Sequence, residues 1–205
     1  MCFNAPVSML TFIIGIILNI AVMVWFPRKE VIAVSLSWSF VLLMQLFEAV
    51  IWMDQNCGTW NKIASFGAFI ANIMQPIIVA FCLLIFIKSL WYLKLIVFLL
   101  VIGYVIFIAT APYEAIKCTK PSSGCASLEY KWWNGISVWP YLILLLLANI
   151  LLLRPLSFSV IQIFWILLTL LIACLTRKGA VGSMWCFLAA FAPVLTACYC
   201  LWNKV

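Results

Sequence analysis

One carboxylate, Glu48, lies inside a long apolar run of a chain that contains no histidine. A carboxyl in hydrocarbon is costly, so it keeps its proton, holds a cation or collects hydrogen-bond donors. Glu48 sits about five residues from the end of its run, roughly 8 Å deep at a helical rise of about 1.5 Å per residue. No lysine or arginine reaches that depth in the neighbouring runs, which argues against an ion pair. Gln45 lies one turn away, and Asn72 and Gln75 fall at matching depth on the next, antiparallel run. Asn19 carries a further amide on the first run. Two readings follow. Glu48, Gln45, Asn72 and Gln75 line a small cavity with a proton- or cation-sensitive site, or Glu48 is a neutral packing carboxyl bonded to those amides.

Nine cysteines offer a second chemistry. Cys2, Cys57, Cys118 and Cys125 all fall in segments on the N-terminal side of the apolar runs. Four thiols on one non-cytosolic face can form two disulfides: Cys118 with Cys125, which encloses a short loop containing Pro121 and Gly124, and, as the lesser candidate, Cys2 with Cys57. Cys82, Cys174, Cys186, Cys198 and Cys200 lie in or at the ends of runs and read as small apolar packing residues. Without histidine or a CxxC pair, no zinc or other metal site is expected, and no cofactor. A lipid hydrolase built on a histidine–carboxylate metal centre is excluded, and a cysteine nucleophile lacks a histidine base. Cys2 alone, exposed by removal of Met1, has its own amine for activation. A retinal Schiff base would need a lysine within the last run, where Lys204 is terminal. The chain is not expected to be an enzyme.

Composition dictates the elements that position these groups. Hydrophobic residues make up 68% of the chain and charged residues 8%, against about 25% charged in a soluble domain. About 20 apolar residues cross a bilayer core as a helix. Seven runs qualify: 9–26, 31–53, 63–87, 93–111, 138–153, 158–175 and 181–202, with 112–137 left as an extramembrane loop. The expected fold is all-α: one polytopic membrane domain over 1–205, a bundle of seven transmembrane helices. Polar residues recur at spacings of three and four on the first three runs. Ser8, Thr11, Gly15 and Asn19 form one stripe; Trp38, Val41, Gln45, Glu48 and Trp52 a second; Ser65, Ala68, Asn72 and Gln75 a third. These stripes should converge inside the bundle, with Gly67 and Ala71 allowing close packing. Pro76 should kink the third helix, and Pro193 holds a similar place in the seventh. Most tryptophans mark run ends, as an interfacial belt requires, while Trp38 and Trp165 lie deeper and can line a pocket.

The net charge of +7 is spread singly or in pairs at run ends, which suits lipid headgroups and not nucleic acid. Lys62, Lys117, Lys120, Lys131, Arg177 and Lys178 fall on the N-terminal side; Arg28, Lys29, Lys88, Lys94, Arg154 and Lys204 fall on the other. The early, short turns weigh most, so the N-terminus is expected on the non-cytoplasmic side. The first run lacks a basic n-region and reads as a retained helix. A faint repeat pairs Asn19, Pro27 and Arg28 with Asn149, Arg154 and Pro155, and Gln75-Pro76 with Ala192-Pro193.

The opening Met1-Cys2-Phe3-Asn4-Ala5, with Glu48, Cys57, Asn61 and Gln75-Pro76, resembles an uncharacterised family of small multipass proteins of bacteria and giant viruses. Members often begin Met-Cys-Trp-(Ser or Asn)-Ala, so Phe3 here replaces the usual Trp. The resemblance spans roughly the first 90 residues and implies attention to Cys2, Glu48, Cys57, Asn61 and Gln75. It implies no activity. A fold-level likeness to seven-helix Pro-Gln-loop transporters rests on size and a three-one-three plan, while this chain reads Gln-Pro. The expected function is a small transporter or channel for a solute or cation. The alternative is a receptor or scaffold that binds a partner or lipid through its cysteine-bearing loops.

Overall fold

The computed structural model describes residues 4–113, 118–121, 128–133, 136–176 and 181–204, which are overwhelmingly helical. In order come α1 (Ala5–Trp25), α2 (Lys29–Met53), α3 (Thr59–Phe86) and α4 (Trp91–Thr110). A single 3-10 turn (Lys131–Trp133) precedes α5 (Trp139–Leu152), α6 (Leu156–Thr176), α7 (Val181–Ala189) and α8 (Ala192–Trp202). Six segments are long and apolar enough to cross a membrane, with α7 and α8 counted together, and α5 is a shorter apolar helix.

Helices begin two to four residues before several of the apolar runs because capping, rather than hydropathy, sets their starts. Asn4 caps α1 through Oδ1, which accepts from Val7 N at 2.9 Å, and Pro6 sits in the first turn, where a missing N–H costs nothing. For α3 the cap comes from Asp54. Its two carboxylate oxygens accept from Gly58 N and Asn61 N, each at 3.0 Å. A Cβ on residue 58 would stand 2.5 Å from that carboxylate and displace it, so glycine here lets Asp54 reach the backbone. The seventh run is not one helix, as its hydropathy suggested. Pro193 has no N–H for the carbonyl of Ala189 and its ring crowds it, so α7 ends at Ala189 and α8 starts at Ala192.

Small residues let the first three helices approach closely. Gly15 of α1 lies so near α2 that a Cβ would meet Leu42 methyls at 2.7 Å, and Gly67 of α3 faces the Phe47 ring likewise. Pro76 stays inside a continuous α3. Beside it, the Ile73 carbonyl accepts from the Tyr104 hydroxyl at 3.0 Å, which ties the otherwise exposed α4 to the bundle.

The segment read as extramembrane loop enters the core. Leu128, Tyr130 and Trp132 are buried against Met44, Ile51 and Phe69. Trp132 stacks on Tyr130 at 4.5 Å and meets Phe69 edge-on at 5.8 Å. Their aromatic area explains the insertion: each buried ring contributes more than a polar loop residue can. The segment is also stapled at its start. Asn61 donates to the carbonyls of Asp54 (2.8 Å) and Thr119 (3.0 Å) and accepts from Thr119 N and Ser65 Oγ, both at 3.1 Å. Cys57 and Cys118 pair at disulfide distance, Cα to Cα 5.6 Å. This replaces the expected Cys118–Cys125 and Cys2–Cys57 pairings, because the Asn61–Thr119 contacts bring the segment onto the start of α3. Cys2 and Cys125 lie outside the described residues.

Candidate functional site

Glu48 is wholly buried. Its carboxyl accepts hydrogen bonds from three directions: Gln45 Nε2 at 3.2 Å, Ser183 Oγ of α7 at 3.1 Å, and the hydroxyl of Tyr130. The helical spacing that put Gln45 beside Glu48 is realised. Asn72 and Gln75 are buried on α3 as the stripe required, yet neither supplies one of these three bonds. Tyr130, from the inserted segment, supplies a donor to Glu48 where the α3 amides were expected to. Asn19 is buried on the α1 face with Ser8 and Gly15 and is separate from this set; its side-chain atoms have no hydrogen-bond partner among the described residues.

The donor set has a chemical consequence. A carboxylate can accept all three bonds at once. A protonated carboxyl must donate one, to the Ser183 or Tyr130 hydroxyl or, after a flip of its amide, to Gln45 Oε1. A change of protonation at Glu48 therefore rearranges its bond to Gln45 on α2, to Ser183 on α7 or to Tyr130 on the inserted segment. Tyr130 itself stays a neutral donor. Burial, and secondarily the Glu48 carboxylate beside it, push its phenol well above the ordinary tyrosine value.

One turn along α7 from Ser183, the Cys186 thiol lies 4.0 Å from Gln75 Nε2, and Gln75 Oε1 accepts from the Tyr141 hydroxyl. Gln75 and Tyr141 in turn wall a cavity of about 20 Å³ between α2, α3, α5, α6 and α7. That volume suits one water. Trp38 lines it, as its depth suggested, and donates to Gln162 Oε1 at 3.0 Å; Trp165 does not. Gln162 also donates to Thr196 of α8 at 3.3 Å. Asn149, Ser37 and Trp185 complete the polar part of the wall, which carries no charge.

Tyr130, Ser183, Tyr141 and Gln162 were not singled out from the sequence. Gln162 had a usable signal, as a lone amide within an apolar run. Tyr130 had a weaker one, in the alternation of Leu128, Tyr130 and Trp132. Among the described residues, no group of three or more His, Cys, Asp or Glu side chains is placed to hold a metal ion. Comparison with protein-family models, with curated proteins and with solved structures finds no match.

Proposed function

We propose that this chain is a seven-crossing membrane transporter or channel-like protein in which Glu48 is the proton- or cation-sensitive group. The observation that carries this reading is the wholly buried Glu48 carboxyl, whose three donors come from α2, α7 and the inserted segment. Polar side chains continue from it through Cys186, Gln75 and Tyr141 to the uncharged cavity at the centre of the bundle. A packing carboxyl needs donors, but it does not need them from a separate segment next to a polar interior. In this reading, loss or gain of a proton or cation at Glu48 loosens or seats the Tyr130 segment, and so opens or closes the bundle on that side.

The disulfide side is the non-cytoplasmic one in this proposal. An oxidised Cys57–Cys118 pair suits such a compartment, and Arg28, Lys29, Lys88 and Lys94 then face the cytoplasm. The likeness to the small multipass family fits the same picture, since Glu48, Cys57 and Asn61 all fall at or beside the site.

The test is proton flux into proteoliposomes carrying an interior pH dye under an imposed gradient, for wild type, Glu48→Gln and Tyr130→Phe. Flux in wild type that is lost in Glu48→Gln is expected, with altered flux in Tyr130→Phe. Equal wild-type and Glu48→Gln flux, in folded protein, overturns the role of Glu48. Absence of flux throughout favours the second reading, a receptor or scaffold whose stapled segment presents a fixed face to a partner.

A further inference from the structure

At the end of the bundle away from the disulfide, the α3–α4 and α5–α6 turns meet around a recess of about 340 Å³. Its wall is Lys88, Ser89, Leu90, Leu93 and Arg154, two cations and a hydroxyl with no carboxylate among them. Arg154 is held in place. Its Nη1 donates to the carbonyls of Ile150 (3.1 Å) and Leu153 (3.2 Å), leaving the Nε and Nη2 edge for a ligand. A second recess shares Arg154 and adds Arg28, with Glu30 as its one carboxylate. Trp25, Trp91 and Trp202 are exposed at the helix ends on this side, as at a headgroup boundary.

We propose that the Lys88–Arg154 recess binds the phosphodiester headgroup of an anionic phospholipid. Two non-bridging oxygens match the guanidinium fork, Lys88 adds a point charge, and Ser89 offers a donor. Leu90 and Leu93 continue the wall with apolar surface, and exposed Ile96, one turn along the same face of α4, extends it along the path an acyl chain would take. Basic pockets between transmembrane helices are a general solution for such headgroups. A free phosphate would use the same cations but gain nothing from the leucines. The inference is independent of any role for Glu48.

Native mass spectrometry of the purified chain in neutral detergent tests it, with phosphatidylglycerol and phosphatidylcholine of equal chain length as probes. Wild type should retain phosphatidylglycerol about tenfold or more over phosphatidylcholine, as two basic contacts predict. Lys88→Gln with Arg154→Gln should bring that preference close to one, while Lys62→Gln at the other end should leave it unchanged. Arg154→Lys, which keeps charge without the fork, should lose only part of it. Equal retention of the two lipids by wild type overturns the proposal without recourse to any variant. Displacement of the lipid by millimolar inorganic phosphate also overturns it, in favour of a free anion.

Discussion

At the scale of single residues, Tyr130 decides how the buried carboxyl is satisfied. Its hydroxyl is the donor on Glu48 Oε1, opposite Gln45 and Ser183 on Oε2. Tyr130→Phe removes that donor but keeps the ring stacked on Trp132. The variant should lose about 1–3 kcal/mol, seen as a lower midpoint of thermal unfolding in detergent. The pH dependence has a definite sign. Folding raises the pKa of this phenol above its unfolded value of about 10. Its stabilising contribution is then complete below about pH 10 and is lost as pH rises further, because only the unfolded phenol ionises there. The gap between wild type and Tyr130→Phe should therefore narrow as pH rises above about 10. A gap that widens at alkaline pH would sink this account. The sequence showed the cost of Glu48 and its bond to Gln45. It did not show Tyr130 or Ser183, because the one lies in a connection and the other on a helix distant along the chain.

Between residue and fold stands the staple that holds the inserted segment. Asp54 caps α3 only because Gly58 lets its carboxylate approach the backbone. Asn61, placed by that cap, uses its side chain to receive and hold Thr119. Gly58→Ala should break this chain of contacts at its first step. The added methyl displaces the Asp54 carboxylate, the first turn of α3 loses a cap worth about 1 kcal/mol, and Asn61 shifts with it. Hydrogen exchange should then rise at Leu128–Trp132 as well as at the start of α3. Exchange confined to α3 would separate the cap from the segment and refute the coupling. Asn61 was marked in the sequence by resemblance alone, and Cys57 also as an outer-face thiol, though paired there with Cys2. Their physical role depends on a contact across 58 positions, from Asn61 to Thr119, and hydropathy carries no trace of such a contact. Helix existence, by contrast, was plain from apolar runs, while their starts were missed where Asn4 and Asp54 cap outside those runs.

For the molecule as a whole, the number of crossings turns on α5. Its 14 residues span about 21 Å, less than the roughly 30 Å of a bilayer core. Yet its two ends reach opposite ends of the bundle. The chain entering α5 comes from the segment of Tyr130, beside Glu48 and Ser183, and the chain leaving it reaches Arg154, beside Lys88 and Arg28. In the proposed seven-crossing arrangement the element that joins those two ends crosses, with the flanking residues making up the missing length. In that proposal parity places Asn4 and Lys204 on opposite sides of the membrane, with the break between α7 and α8 leaving the count unchanged. Epitope tags at the two termini, probed by protease in sealed vesicles of one orientation, should be cleaved one without the other. Cleavage or protection of both tags together would mean an even count, and α5 would then be re-entrant. It would also put the Cys57 turn and the N-terminus of α7 on different sides, although Tyr130 and Ser183 both reach Glu48. Those two hydrogen bonds are what favours the odd count of the proposed arrangement.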